Sequence, residues 1–207
     1  MTALKKSIGY LPENNPLYLN MYVKEYLEYS AGMYLQKNEI KNAVEKAVEA
    51  VGLGEHQFKK IGELSKGYKQ RTGIARAMVH NPSILILDEP TTGLDPNQIV
   101  EIRNLIKDLG KEKTVILSTH IMQEAEAVCD RAIIINKGKI VADDTLKNLK
   151  APKSSNSITV EFGFDGSFNG NFEEIVKKFA EEKGLSVLSI TQSKGNLENI
   201  FRELTLE

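Results

Sequence analysis

Three hydrophobic rhythms run along the first 80 of 207 residues. Ile8-Gly9-Tyr10-Leu11 is a short apolar run closed by Pro12 and predicts a strand, followed by a loop over Glu13-Asn14-Asn15-Pro16. From there Val23, Tyr26, Leu27 and Tyr34 recur at the spacing of one helix face. A second helix is predicted with Asn38 as its N-cap, Val44, Ala47, Val48 and Val51 on one face, and Gly52 at its end. A third begins after Ser65 and runs to about Val79, stopped by Asn81-Pro82.

The rhythm then changes. Ile84 to Leu87 is apolar without alternation, and Thr114 to Ser118 and Ala132 to Ile135 are similar. Such runs suit strands buried on both faces of a parallel sheet. Between the first two lies a helical stretch with Ile99, Ile102, Ile106 and Leu109 on one side. Strand, helix, strand, helix, strand is an α/β layout. Asn136-Lys137-Gly138 forms a turn into a last strand, Ile140-Val141-Ala142. The polar stretch Ala151 to Asn156 reads as a linker. Beyond it come an alternating strand (Ile158, Val160, Phe162, Phe164), a helix around Phe172 to Glu182, a strand at Leu185 to Ile190 and a helix from Asn196. The expected division is residues 1–150, with a helical part at about 20–80, and a small α+β extension at 151–207.

Composition narrows the function classes. With 27 basic and 28 acidic side chains the net charge is −1, which offers nucleic acid no electrostatic footing. A single cysteine, Cys129, excludes an internal disulfide and a zinc site and suits a reduced, cytosolic compartment. No apolar run approaches the ~20 residues of a membrane span, and Met1 to Tyr10 has no signal-peptide core. A membrane role is expected to come through a partner.

Candidate chemistry gathers at strand ends and one helix start. Asp88 and Glu89 follow an apolar strand at its carboxyl end, the edge where open α/β sheets bind ligands. An aspartate there holds a magnesium ion that bridges phosphates, and a neighbouring glutamate orients or deprotonates water. Taken alone, paired carboxylates are common on ordinary surfaces. Ser118-Thr119-His120 closes the next strand, where the histidine reaches the same edge, although a lone histidine there is as readily a capping residue. His56 and His80 read as structural. Ser65 and Gly67 open a helix whose free N–H groups and dipole favour an anion. By itself Ser65 is an ordinary N-cap.

In order and spacing, Leu64 to Arg71, Ile84 to Pro90, Gly93 to Pro96 and Ser118 to His120 resemble the ATP-binding subunit of an ABC transporter. The resemblance covers roughly Ile8 to Leu149. The tail from Asn196 to Thr205 is similar to the C-terminal extension of drug-type and gliding-motility-type exporter ATPases. The resemblance implies a P-loop NTPase-like parallel sheet with a helical subdomain, and ATP and Mg2+ as ligands. It implies that Asp88 holds magnesium, Glu89 is the catalytic base, and His120 touches the γ-phosphate. Asp95 would sit in the loop linking two sites across a head-to-tail dimer. Ser65 and Gly67, flanked by Lys66 and Tyr68, would contact the γ-phosphate bound to the opposite subunit. Glu13 falls where the family carries a glutamine that meets the magnesium and the transmembrane partner. The implied protein drives a permease of ABC-2-like export type from the cytosolic face of the membrane.

Three departures stand out. Glu13 replaces the glutamine and adds negative charge near the metal. Lys66 and Tyr68 alter the family's Leu-Ser-Gly-Gly-Gln, and Lys66 brings favourable charge near phosphate. No Gly-x-x-x-x-Gly-Lys-Ser/Thr occurs, since Gly110-Lys111 and Gly138-Lys139 lack both the earlier glycine and the following hydroxyl. In the family that loop precedes the Glu13 segment, so the chain is expected to begin mid-domain, without its N-terminal part. The absent loop would supply the backbone nest and lysine for the β- and γ-phosphates. It would also supply a central strand, so apolar surface beside it is expected to be uncovered.

A different class of function stays open: a non-catalytic partner that lends only its Ser65–Gly67 helix to another subunit's ATP. Glu89 and His120 favour the catalytic reading, because a pure binding module needs neither. A chromosome-structuring or DNA-repair ATPase would need a coiled-coil insertion, and a translation-associated ATPase two tandem copies; neither is present.

Overall fold

The computed structural model describes residues 3–150 and 172–184. A short helix α1 (Ala3–Lys6) leads into β1 (Ile8–Leu11), then α2 (Val23–Gly32), α3 (Lys37–Ala50) and α4 (Lys66–Met78). These are followed by β2 (Ile84–Asp88), α5 (Pro96–Gly110), β3 (Thr114–Ser118), α6 (Met122–Val128), β4 (Arg131–Asn136), β5 (Lys139–Thr145) and α7 (Leu146–Leu149). Helix α8 (Phe172–Glu182) lies where the sequence expects it. The expected strands and helix at 158–164, 185–190 and from 196 fall outside the described residues, as does the 151–156 linker.

β1, β2 and β3 form a parallel sheet in that order. One core joins it to the helices. Leu11, Leu85 and Leu87 point into it, with Val23 and Leu27 of α2, Val44 and Val48 of α3, Ile74 of α4, and Ile102 and Ile106 of α5. Helix α4 crosses β1 closely. A Cβ at Gly9 would fall 2.1 Å from the Ala77 carbonyl oxygen and 2.8 Å from Leu85, so the crossing requires a residue with no side chain.

Four expectations change. β2 is buried, and β3 half-buried, on one face only: the row Tyr10–Ile86–Ile116, aligned across the three strands, lies on the other face. Tyr10 and Ile116 on that row are about half exposed, at 49% and 51%. Uncovered apolar surface is thus present on these strands. β4 does not join the parallel sheet. It pairs antiparallel with β5 through a tight turn, with φ of 47° at Lys137 and 75° at Gly138, the left-handed values a two-residue hairpin demands. Only one face of this hairpin is packed, with Ile134 against Leu146 and Leu149, while Ile133, Ile135 and Ile140 stay exposed. α3 starts two residues earlier than expected, capped by Gln36, because the Glu39 carboxylate accepts the Gln36 N–H at 2.9 Å. Tyr34 lies beyond α2, where its ring stacks on His80 at 3.9 Å.

Candidate functional site

The parallel sheet delivers its chemistry at the carboxyl ends of β2 and β3. Asp88 is in register with Ser118, and the next residue, Glu89, has φ of 47°, a left-handed conformation that glutamate rarely adopts. Its N–H donates to the Ser118 carbonyl at 3.0 Å, which holds the turn. The result aims the Glu89 side chain across to the next strand end. Its Oε1 accepts both the His120 backbone N–H at 3.0 Å and the His120 ring Nδ1 at 2.7 Å. Thr92 Oγ1 donates to the other oxygen at 3.2 Å. The carboxylate is mostly shielded, with 14% of its side chain exposed, while the imidazole is 74% exposed and open to a ligand.

Electrostatics follow the geometry. The hydrogen bond that His120 donates to Glu89, and then the Glu89 charge, raise the His120 pKa above the ordinary 6.5, with smaller contributions from Glu124 and Glu13. The attraction between this pair is therefore fully present below pH 6.5 and is lost as pH rises through the raised value. Glu13, exposed in the loop after β1, thus lies within electrostatic reach of His120.

The second group sits at the start of α4. Ser65 caps the helix by accepting from the Tyr68 N–H, at a long 3.5 Å. Its neighbours are held by their own chain. Gly67 is buried against Gln98 of α5, whose amide carbon would be 2.7 Å from a Cβ there. A side chain at 67 would push the Gln98 amide aside. Lys66 folds its ammonium against Gly93 in the loop before α5, and Tyr68 stacks on His56 at 3.8 Å. Asp95 caps α5 by accepting the Gln98 N–H at 3.0 Å. A cavity of about 150 Å³ lies beside this helix start, lined by Ser65, Gly67, Arg71, Gln98 and Glu101. Among the described residues no hydrogen bond or ion pair joins Ser65, Lys66, Gly67 or Tyr68 to Asp88, Glu89 or His120. The two groups stand apart in the chain.

A family model for ABC transporters matches residues 1–92. The bacitracin transport ATP-binding protein BcrA of Bacillus licheniformis is 34% identical over 226 residues, covering 96% of this chain and 73% of that protein. The chain belongs to the ABC transporter ATP-binding family. YxlF of Bacillus subtilis, an uncharacterised ABC transporter ATP-binding protein, is 37% identical over 157 residues. That match covers 75% of this chain and 53% of YxlF, so the chain spans about half of that relative's length. Among solved structures, CbiO1 of Clostridium perfringens, part of the ABC transporter complex CbiONQ, superposes with a TM-score of 0.64 at 33% identity. It covers 72% of this chain and 61% of that one.

Among the described residues no group of three or more His, Cys, Asp or Glu is arranged to hold a metal. Mg2+ is commonly held by one or two carboxylates together with substrate phosphates and water. Asp88, partly exposed at a strand end, has the donor chemistry for one such carboxylate.

Two residues at the site escape sequence reasoning. Glu124 on α6 is 1% exposed and accepts from Thr91 Oγ1 and Thr119 Oγ1. Gln98 covers Gly67. A glutamate on a short helix reads as solvated, and only its position five residues after Thr119 hints otherwise.

Proposed function

We propose that this chain is the ATP-binding and ATP-hydrolysing part of an ABC exporter, working on the cytosolic face of the membrane with a permease. The observation that carries this reading is the Glu89–His120 contact, which links the ends of β2 and β3 through one carboxylate. In this role Glu89 accepts a proton from the attacking water. His120, held by Glu89 and exposed, donates toward the γ-phosphate. Asp88 holds Mg2+, which supplies charge neutralisation on the phosphates when bound. Glu13 stands next to this charge and tunes the metal's surroundings. Kinship with BcrA, named for bacitracin transport, supports export.

Ser65 and Gly67, with Lys66 and Tyr68 beside them, serve the nucleotide of a second subunit in a head-to-tail pair, and Asp95 stands in the loop between the two sites. The Ser65 hydroxyl suits this, since its 3.5 Å contact to Tyr68 leaves it weakly engaged. Lys66 then has to leave Gly93 to reach a phosphate.

Residues 1–207 contain no glycine-lysine phosphate loop. On its own this polypeptide is expected to bind Mg-ATP with Kd on the order of 1 mM or weaker. Isothermal titration of the purified chain checks this, and micromolar affinity would overturn it.

A further inference from the structure

Three segments of the site meet on one buried carboxylate. Thr91, two residues after Glu89, donates its hydroxyl to Glu124 Oε1. Thr119, immediately before His120, donates to Glu124 Oε2 at 3.1 Å, and also accepts the Ile121 N–H at 3.1 Å. Arg103 of α5 brings its guanidinium to 3.6 Å from Oε1. Glu124 is 1% exposed and Thr91 2%. A carboxylate so buried is stabilised by these donors.

The strand register ends at Asp88 and Ser118, and beyond it the Glu89 N–H bond to Ser118 is the last backbone tie between the two loops. Past that point the clamp on Glu124 takes over. It holds the loop that carries Glu89 and the loop that carries His120 at the spacing where Glu89 Oε1 meets two N–H groups of His120. Arg103 carries the same tie to α5, the helix that Asp95 caps.

We infer that Glu124 is a positioning residue for the Glu89–His120 pair, linking both loops to α5 through the hydroxyls of Thr91 and Thr119 and the guanidinium of Arg103. Its place in catalysis rests on the hydrolytic reading of that pair; its place in the geometry does not. Glu124 touches neither reacting group and acts through Thr91 and Thr119.

The test is amide hydrogen exchange on the full chain, which reads the geometry without requiring ATP turnover. The His120 N–H is protected by its bond to Glu89. In Glu124→Ala its protection is expected to fall about tenfold or more, while the Leu87 and Leu117 amides in the strands change less than about twofold. Glu124→Gln keeps one acceptor oxygen and is expected to retain His120 protection within about threefold of the original. Should Glu124→Ala fail to fold, Thr119→Ser and Thr119→Val replace it. Serine keeps the hydroxyl and is expected to keep the protection, and valine is expected to lose it. An unchanged His120 amide in the folded variants, or an equal loss at Leu87 and Leu117, would show that Glu124 only stabilises the fold and would overturn the inference. Failure of the hydrolytic reading would appear separately, as absent turnover in the chain joined in frame to a relative's glycine-lysine loop segment, with the exchange pattern intact.

Discussion

Glu89→Gln is expected to lower ATP turnover by about two orders of magnitude or more, measured in this chain joined in frame to a relative's glycine-lysine loop segment. Glutamine matches glutamate in size and keeps an oxygen that can accept the His120 N–H, so the loop geometry at 3.0 Å should persist. What it loses is the capacity to take a proton from water. ATP affinity should therefore change little while turnover collapses, and the variant should accumulate bound nucleotide. Phosphate release under saturating ATP reads the first effect and filter binding the second. Turnover within tenfold of the parent would assign the base to another residue. Ser65→Arg is expected to be equally inactive for a different reason, because the long side chain blocks the start of α4 where a phosphate has to approach.

Gly9→Val carries the largest expected effect on stability. β1 and α4 approach so closely that a Cβ at residue 9 would lie 2.1 Å from the Ala77 carbonyl, a backbone atom that moves only with its helix. The strand on one side carries the loop to Glu13, and the helix on the other carries Ser65 at its start. Relief of the clash has to separate β1 from α4, opening the core around Leu85. A loss of about 4 kcal/mol is expected, at the upper end for a single substitution. Urea unfolding followed by circular dichroism measures it as a drop in midpoint at unchanged slope. A loss under about 1 kcal/mol would show that α4 is not held against β1.

The parts legible in the sequence were local ones. Ser65 at a helix start and Asp88 at a strand end each declare themselves within a few residues, and each lies where expected. The meeting of Glu89 and His120 at one sheet edge was legible as two neighbouring strand ends, but their direct contact was not. What could not be read depends on partners far apart. Glu124 meets Thr91 across 33 positions, and nothing in the pattern of α6 marks its burial. Gln98 packs against Gly67 from another helix, which the sequence around Gly67 does not show. The apolar runs at Ile84 and Ala132 implied two covered faces, yet the first has one open face and the second lies in a hairpin. An apolar run records what a strand can bury, not which layers are there to bury it.

In the proposed pairing one chain contributes to two sites: Asp88, Glu89 and His120 to its own nucleotide, and Ser65 and Gly67 to its neighbour's. Mixing the two inactive variants described above, Glu89→Gln and Ser65→Arg, tests it most directly. In a mixed head-to-tail pair one site receives Glu89 from the Ser65→Arg chain and Ser65 from the Glu89→Gln chain. Random pairing makes half of the dimers mixed, each with one intact site of two, so activity should return to about a quarter of the parent value. If the mixture stays as inactive as its components, both half-sites act on one nucleotide within one chain, and the account is wrong.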